Sequence, residues 1–479
     1  MVNTPLRLHP WRRWSLMWRR MSPPALFLWS FVFLISLGTL GLMMLPGLQV
    51  GPRLGFVDSL FTMTSAVTIT GLTVADTATK FTAAGQAWIL LFIQLGGIGL
   101  ITLTSLIIGA LGRRLSLRSE MLAVAPTRSH DQLNVWDLAL GVTKFSLVVE
   151  AAGVLVLFLL WLPHYPADEA VWHATFHGIS AYCNAGFSTF STSMMGFADK
   201  PLTLIVISVL VIIGGLGFLT FEELLRWWRT SRMRRSGIRL VKRGPHRLSS
   251  HTWAVLVTSG VLLVLGWVLF AVFEWYGVLA SMSPNDKVWN ALFMSVSTRS
   301  SGFNSVDYTL VGNDTSALTM MLMFIGGSPG SMAGGIKTTT FAVLVALGLS
   351  RIRGHRFVAI KDRAIPQGTI ERTVGIILLA MLIVVSSFFT LSAIEGVGLD
   401  AASSRAQFLP IAFETMSAFS TTGLSMNVTP NLQPSSKVIV LVMLFVGRVG
   451  LLSFFTAVVL RRAQPPGYLR PAQEDVIVG

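Results

Sequence analysis

Apolar residues gather into long runs, and shorter half-apolar stretches alternate with them along the whole chain. Eight runs come near or pass the roughly 20 residues that a helix needs to cross a bilayer core. They are 25–46, 86–109, 138–162, 202–222, 252–274, 317–349, 373–395 and 437–460. The sixth is too long for one crossing and is broken in its middle. Inside each successive pair lies a stretch of about 12 residues, too short to cross as a helix. These stretches are 55–67, 170–182, 287–298 and 406–419.

Each short stretch ends in a small polar cluster around one glycine. The clusters read VTITGLTV, YCNAGFST, TRSSGFNS and STTGLSMN, and their glycines are Gly71, Gly186, Gly302 and Gly423, separated by 115, 116 and 121 residues. A phenylalanine lies ten residues before the glycine at Phe61, Phe176 and Phe413, and nine before it at Phe293. The unit is a long helix, a short helix, a polar turn and a second long helix, and it occurs four times. The pattern predicts an all-α polytopic membrane protein: a segment at 1–24, then tandem repeats at 25–118, 119–235, 236–363 and 364–479 around a pseudo-fourfold cation pore.

Composition excludes a set of soluble domains. Apolar residues make up 52% and charged residues 12%, against about 25% charged in an ordinary soluble domain. The net charge of +15 would suggest nucleic acid in a soluble protein, but its placement says otherwise. Of the 37 Lys and Arg, 27 precede the first span or follow the second span of a repeat, nine of them between Arg226 and Arg247. The positive-inside rule then puts both termini in the cytoplasm and makes the repeats parallel. No nucleic-acid partner is expected; the partner is the lipid bilayer. The run from Ala25 to Leu45 is too long for a signal h-region and reads as a retained span. A single cysteine, Cys183, excludes an internal disulfide and a multi-cysteine metal site. On the opposite side, Asp58, Asp76, Asp168, Glu169, Asp199, Asp286, Asp307, Asp314, Asp400 and Glu414 suggest an acidic mouth that concentrates cations.

Non-helical backbone at membrane depth survives only where it lines protein or a water-filled cavity. Four such turns about one axis would set carbonyl oxygens in a ring able to replace a cation's hydration shell, and glycine suits the backbone this requires. The candidate filter is Ile69, Thr70 and Gly71; Asn184, Ala185 and Gly186; Ser300, Ser301 and Gly302; Thr421, Thr422 and Gly423.

At these residues the chain resembles the Trk/Ktr/HKT superfamily of potassium transporters. The motifs that carry the likeness are TITGL, NAGFS, TRSSGFNS and STTGLSM, with GGSPGSMAGGIKTTT and GRVGLLSF in the third and fourth repeats. One span before the first turn, and the tail YLRPAQEDVIVG, are most similar to the Ktr-type membrane subunit. The resemblance implies potassium uptake across a bacterial inner membrane, with potassium as the transported ion at the filter residues. It also implies a homodimer and a separate cytoplasmic nucleotide-binding ring as regulatory partner. Glycine rather than serine at position 71 implies a preference for potassium. No cofactor is expected in this chain, which has no GxGxxG unit on a strand.

The break in the sixth run is GGSPGSMAGG, residues 326–335. Gly326, Gly327, Ser328, Pro329, Gly330, Gly334 and Gly335 cannot hold a regular helix. Lys337 follows directly, and Arg448 sits mid-run in the eighth segment. A charge at the bilayer centre costs about 2.5–3.5 kcal/mol on insertion scales, so both should face water or a partner. The expected arrangement is a loop below the filter that blocks it when closed. Lys337 and Arg448 would hold that loop and repel cations, the role the resemblance also implies.

Other features are weaker. Gly326-x-Ser328-x-Gly330 fits GxSxG without the strand-to-helix context of a nucleophile elbow, and residues 330–338 nearly fit a P-loop. His173 and His177 are four apart but lack a metalloprotease glutamate. Lys144 and Glu150 are poorly spaced for a helix pair, and Glu222 and Glu223 should be solvated at a span's end. Two alternatives remain: a sodium or poorly selective cation transporter of the same fold, and a membrane-embedded serine hydrolase using Ser328.

Overall fold

The computed structural model describes residues 23–97, 135–235, 248–361 and 363–449. The first repeat comprises α1 (Pro23–Met44), α2 (Phe56–Val67) and α3 (Ala83–Gly97). The second comprises α4 (Val135–Trp161), α5 (Ala167–Tyr182), α6 (Pro201–Leu216) and α7 (Phe218–Arg235). The third has α8 (Ser250–Glu274), α9 (Pro284–Ser297), α10 (Asn313–Phe324) and α11 (Thr338–Ile352). The fourth has α12 (Gln367–Glu395), α13 (Ala401–Ser420) and α14 (Pro434–Val449). Among the described residues the only sheet is a two-residue hairpin, Ala359–Ile360 against Arg363–Ala364.

Local chemistry sets several boundaries. Pro201 and Pro284 open their helices, where a missing N–H costs nothing. The hydroxyls of Ser249 and Ser283 cap α8 and α9 by accepting from Thr252 N (3.1 Å) and Asp286 N (3.2 Å). The outer helices α1, α4, α8 and α12 expose large apolar side chains, among them Phe33, Val148, Val272 and Phe389 at 63–68%. Such a face, on helices apolar nearly all round, suits hydrocarbon rather than water. Three described helices are long and apolar enough to cross alone: Leu140–Trp161, Ser250–Glu274 and Gln367–Glu395.

The short helices pack inside. Phe61, Phe176, Phe293 and Phe413, the residues that mark the repeat in sequence, are all buried. Each inner helix packs on the short helix of the next repeat: α3 on α5, α6 on α9, α10 on α13, and α14 back on α2. Glycines permit the close approach within repeats. A Cβ at Gly96, Gly214 or Gly447 would meet the last-turn carbonyl of Val67, Tyr182 or Phe419.

Two boundaries differ from expectation. The run 202–222 is not one helix: α6 stops at Leu216, Gly217 takes φ +77°, and the chain turns by 99° into α7. The stretch 406–419 belongs to a longer helix, α13, of 20 residues with Pro410 inside it. The C-terminal ends of the runs 86–109 and 437–460 lie outside the described residues.

Candidate functional site

The four polar turns share one backbone design. The residue two before each glycine is left-handed although it is not glycine: Ile69 (φ +47°), Asn184 (+58°), Ser300 (+84°) and Thr421 (+48°). The glycines follow at φ +90°, +70°, +77° and +91°. Side chains rarely adopt such angles, and each is locally costly. A serine near the end of each short helix braces the turn. Ser65 and Ser417 accept from the N–H of Gly71 and Gly423, both at 3.1 Å. Ser180 and Ser297 instead donate to the carbonyls of Phe187 (2.8 Å) and Phe303. The third turn is one residue tighter. Thr70, Ala185 and Thr422 donate back five residues, to Ser65, Ser180 and Ser417, whereas Ser301 donates back four, to Ser297. This accounts for Phe293 standing nine rather than ten residues before its glycine.

The turns meet in cyclic order. A Cβ added to Gly71 would lie 2.5 Å from the Ala185 carbonyl oxygen, one at Gly186 would lie 2.7 Å from that of Ser301, and one at Gly302 would lie 2.6 Å from that of Thr422. A Cβ at Gly423 would strike the Thr70 carbonyl oxygen. Each glycine thus faces the carbonyl of the residue preceding the next glycine, and the fourth returns to the first. All twelve expected filter residues fall in these four turns.

The broken segment lies directly against them. Gly334 N donates to Ser300 Oγ at 3.0 Å, and a Cβ at Gly334 would collide with Thr421 Oγ1. On the second-repeat side, Ser328 N donates to Gly215 O (3.0 Å) and Met332 N to Gly214 O (3.1 Å). Ser328 Oγ donates to Gly215 O (3.1 Å) and Leu216 O. Lys337 Nζ donates to Ala333 O at 2.6 Å, and Arg448 donates through Nη1 to Met332 O. Gly326, Gly327, Pro329, Gly330 and Gly335 complete the loop, with Gly330 and Gly335 at φ +72° and +66°.

A family model described as TrkH, cation transport protein, matches residues 21–466 of this sequence. The chain belongs to the TrkH family. Its members transport cations, so this is a transporter and not an enzyme. The chain is 34% identical to the Ktr system potassium uptake protein B of Vibrio alginolyticus, over 95% of each chain. It is 34% identical to the protein of the same name from Bacillus subtilis, over 91% of this chain and 93% of that one. Identity to the potassium/sodium uptake protein NtpJ of Enterococcus hirae is 29%, covering 96% and 98%. The crystal structure of the potassium transporter TrkH from Vibrio parahaemolyticus shares the fold, with a TM-score of 0.69 at 19% identity, covering 93% of this chain and 86% of that one.

Against the TrkH-family background the remaining candidates resolve. Ser328 spends its hydroxyl on two backbone carbonyls, in an irregular loop rather than a strand-to-helix elbow. His173 Nδ1 bonds Thr189 Oγ1 (2.6 Å) and His177 Nε2 bonds Ser188 Oγ (2.9 Å), so both brace the segment after Gly186. Among the described residues no group of three or more His, Cys, Asp or Glu is placed to hold a metal ion. Two acidic residues differ from expectation. Glu223 is not free in solvent: it accepts from Ser249 N (2.6 Å), Ser249 Oγ (2.8 Å) and Thr252 Oγ1. Glu414 is buried rather than at a mouth, accepting from Ser425 Oγ (2.7 Å) and Thr429 Oγ1. Ile69, Asn184, Ser300 and Thr421 were expected in the turns, but not their left-handed backbone. The bracing serines were missed, although a serine five or six residues before each glycine is visible in the sequence. So is the alignment that makes Arg448 the counterpart of Gly97, Gly215 and Gly327: the pairs read GG, GG, GG and GR.

Proposed function

We propose that this chain carries potassium into the cell through the four turns around Gly71, Gly186, Gly302 and Gly423. The cyclic contact of the four glycines with the neighbouring carbonyls carries the reading. It supports a carbonyl ring of pseudo-fourfold form, which can replace the hydration shell of a cation. The potassium uptake named in several relatives agrees with it. The loop 326–335 acts as the gate. It is held against Ser300 and Thr421 on the filter side, and the cationic ends of Lys337 and Arg448 repel an ion arriving beneath. Arg448 interrupts a run of glycines at the one quadrant where its guanidinium reaches the loop.

In the same proposal the membrane is the bacterial inner membrane, both termini are cytoplasmic, the chain pairs as a homodimer, and a separate nucleotide-binding ring regulates it. The name of the Enterococcus hirae relative keeps a second reading in view, in which sodium shares the pathway. Rubidium uptake by the purified chain in liposomes, with potassium, sodium and lithium as competitors, tests both. Competition by potassium far above sodium is expected; equal competition favours the second reading, and absent uptake overturns both.

A further inference from the structure

Helix α7 is an unusual continuation of a membrane helix. It leaves α6 at 99°, so if α6 crosses the bilayer, α7 runs nearly in the membrane plane. It cannot be the second half of a span, because Glu222, Glu223, Arg226 and Arg229 fall within eight residues and each charge is costly in hydrocarbon. One side is held by protein. Phe218 and Phe221 pack on Phe145 with ring centroids 5.8 and 4.5 Å apart, and Glu223 caps the start of α8. Its outer portion is exposed: Trp227 at 41%, Trp228 at 52%, with Arg229 also exposed and Arg226 exposed while bonded to Glu222.

Tryptophan interleaved with arginine is the composition of helices that lie at the headgroup level. No acidic residue occurs from Arg226 to Arg247, a stretch holding nine Lys and Arg. The complement of that charge at a membrane surface is an anionic headgroup.

The bend also makes the dock for the gate loop. A helix that ends leaves its last carbonyls without partners, and here those include Gly214, Gly215 and Leu216. The N–H groups of Ser328 and Met332 and the hydroxyl of Ser328 satisfy them. Gly217 presses on the same loop: a Cβ there would lie 2.9 Å from Gly330 O. If α6 and α7 straightened into one helix, N–H groups of α7 would claim these carbonyls and the loop would lose its anchor. Bend and dock are one state.

We propose that α7 binds anionic phospholipid headgroups through Arg226 and Arg229, with Trp227 and Trp228 at the interface, and thereby holds the bend that keeps loop 326–335 docked. This rests on the topology and gate proposed above. Anionic lipid should therefore lower basal flux.

Two measurements on the full chain test it. Cys183 is buried, so Trp227→Cys accepts a nitroxide with little background. Its collision rates with oxygen and a nickel chelate report depth in vesicles of phosphatidylcholine with phosphatidylglycerol. Rubidium uptake is then compared in those vesicles and in phosphatidylcholine alone, for wild type and Arg226→Gln/Arg229→Gln. The nitroxide should sit at headgroup depth. In the anionic vesicles alone, the double variant should conduct about fivefold or more above wild type, the worth of at least one basic side chain near an anionic surface. Full exposure to the chelate overturns the proposal. So does a variant-to-wild-type ratio that is the same in both vesicles, which would assign the arginines to a protein partner. No uptake in any vesicle, with the nitroxide still at headgroup depth, would fault the transport reading while upholding the lipid contact.

Discussion

Lys437 Nζ donates to Asp58 Oδ1 at 2.8 Å, joining residues 379 positions apart. The lysine lies in the first turn of α14 and the aspartate in the first turn of α2, so the pair ties the fourth repeat to the first. The lysine side chain is 11% exposed and the carboxylate 34%, an environment between the surface and buried limits. Lys437→Met should lower the melting temperature by about 1 °C, for a cost of about 1 kcal/mol in a chain of 479 residues. In a thermal-melt cycle with Asp58→Asn, the double variant should lose less than the sum of the singles. Strict additivity would show that the pair contributes nothing.

Alanine at Gly71, Gly186, Gly302 or Gly423 should weaken discrimination of potassium from sodium. Each position has positive φ, where a side chain costs about 1–2 kcal/mol, and each added Cβ meets a carbonyl of the adjoining turn. Sodium competition against rubidium uptake is the measurement. Unchanged competition in all four variants would place selectivity elsewhere.

Ser328→Ala removes the hydroxyl that donates to Gly215 and Leu216. It should raise basal rubidium flux several-fold, since each lost bond to a carbonyl is worth about 1 kcal/mol. Deletion of 327–333 should raise flux further. A deleted chain that folds, reconstitutes and conducts no better than wild type would remove the loop from the gate.

Arg448→Gln should change flux more than stability. The guanidinium reaches Met332 O from a buried position, while its Nε has no partner among the described residues, so its removal relieves a desolvated charge as well as losing a bond. Higher flux at a similar melting temperature is expected. A large loss of folded protein with unaltered flux in the remainder would make the residue purely architectural.

Asp400 caps α13 by accepting from Ser403 N and Ala402 N, both at 3.3 Å. Hydrogen bonds from Ser403, the largest influence, hold its carboxyl below the ordinary 3.8. A carboxyl depressed on folding stabilises the fold above its unfolded pKa, and that contribution fades as pH falls through the folded value. Asp400→Ala should therefore melt below wild type at pH 7, with the gap closing below about pH 3.8. A gap independent of pH would mean the cap does not act through its charge.

The repeat was legible because it is written in residues with few alternatives: a phenylalanine that must be buried, then a glycine that must turn. The break at 326–335 was legible for the same reason. The bend at Gly217 was not: Gly214, Gly215 and Gly217 fall within four residues, but glycine in an apolar run is often tolerated within a helix, and the loop docking across this one favours the break. Glu223 and Glu414 were read as solvent-facing because a carboxylate among polar neighbours looks the same in sequence whether it caps a helix, accepts buried hydroxyls or meets water. Left-handed Ile69 and Thr421 were invisible: β-branched residues avoid that region on their own, and the ring of contacts imposes it.

The last joint of the glycine circle, Gly423 against Thr70, forms between the two ends of the folded region. A chain emerging from the ribosome therefore builds three quarters of the circle well before the fourth repeat can shut it. Contacts of such sequence separation are slow to form, and until they do the first and third turns each lack a stabilising neighbour. If ions pass through the circle as proposed above, truncation after any of the first three repeats leaves an open arc in place of the closed ring. On the proposed pathway, the ring that would replace a cation's water is complete only with the closing turn.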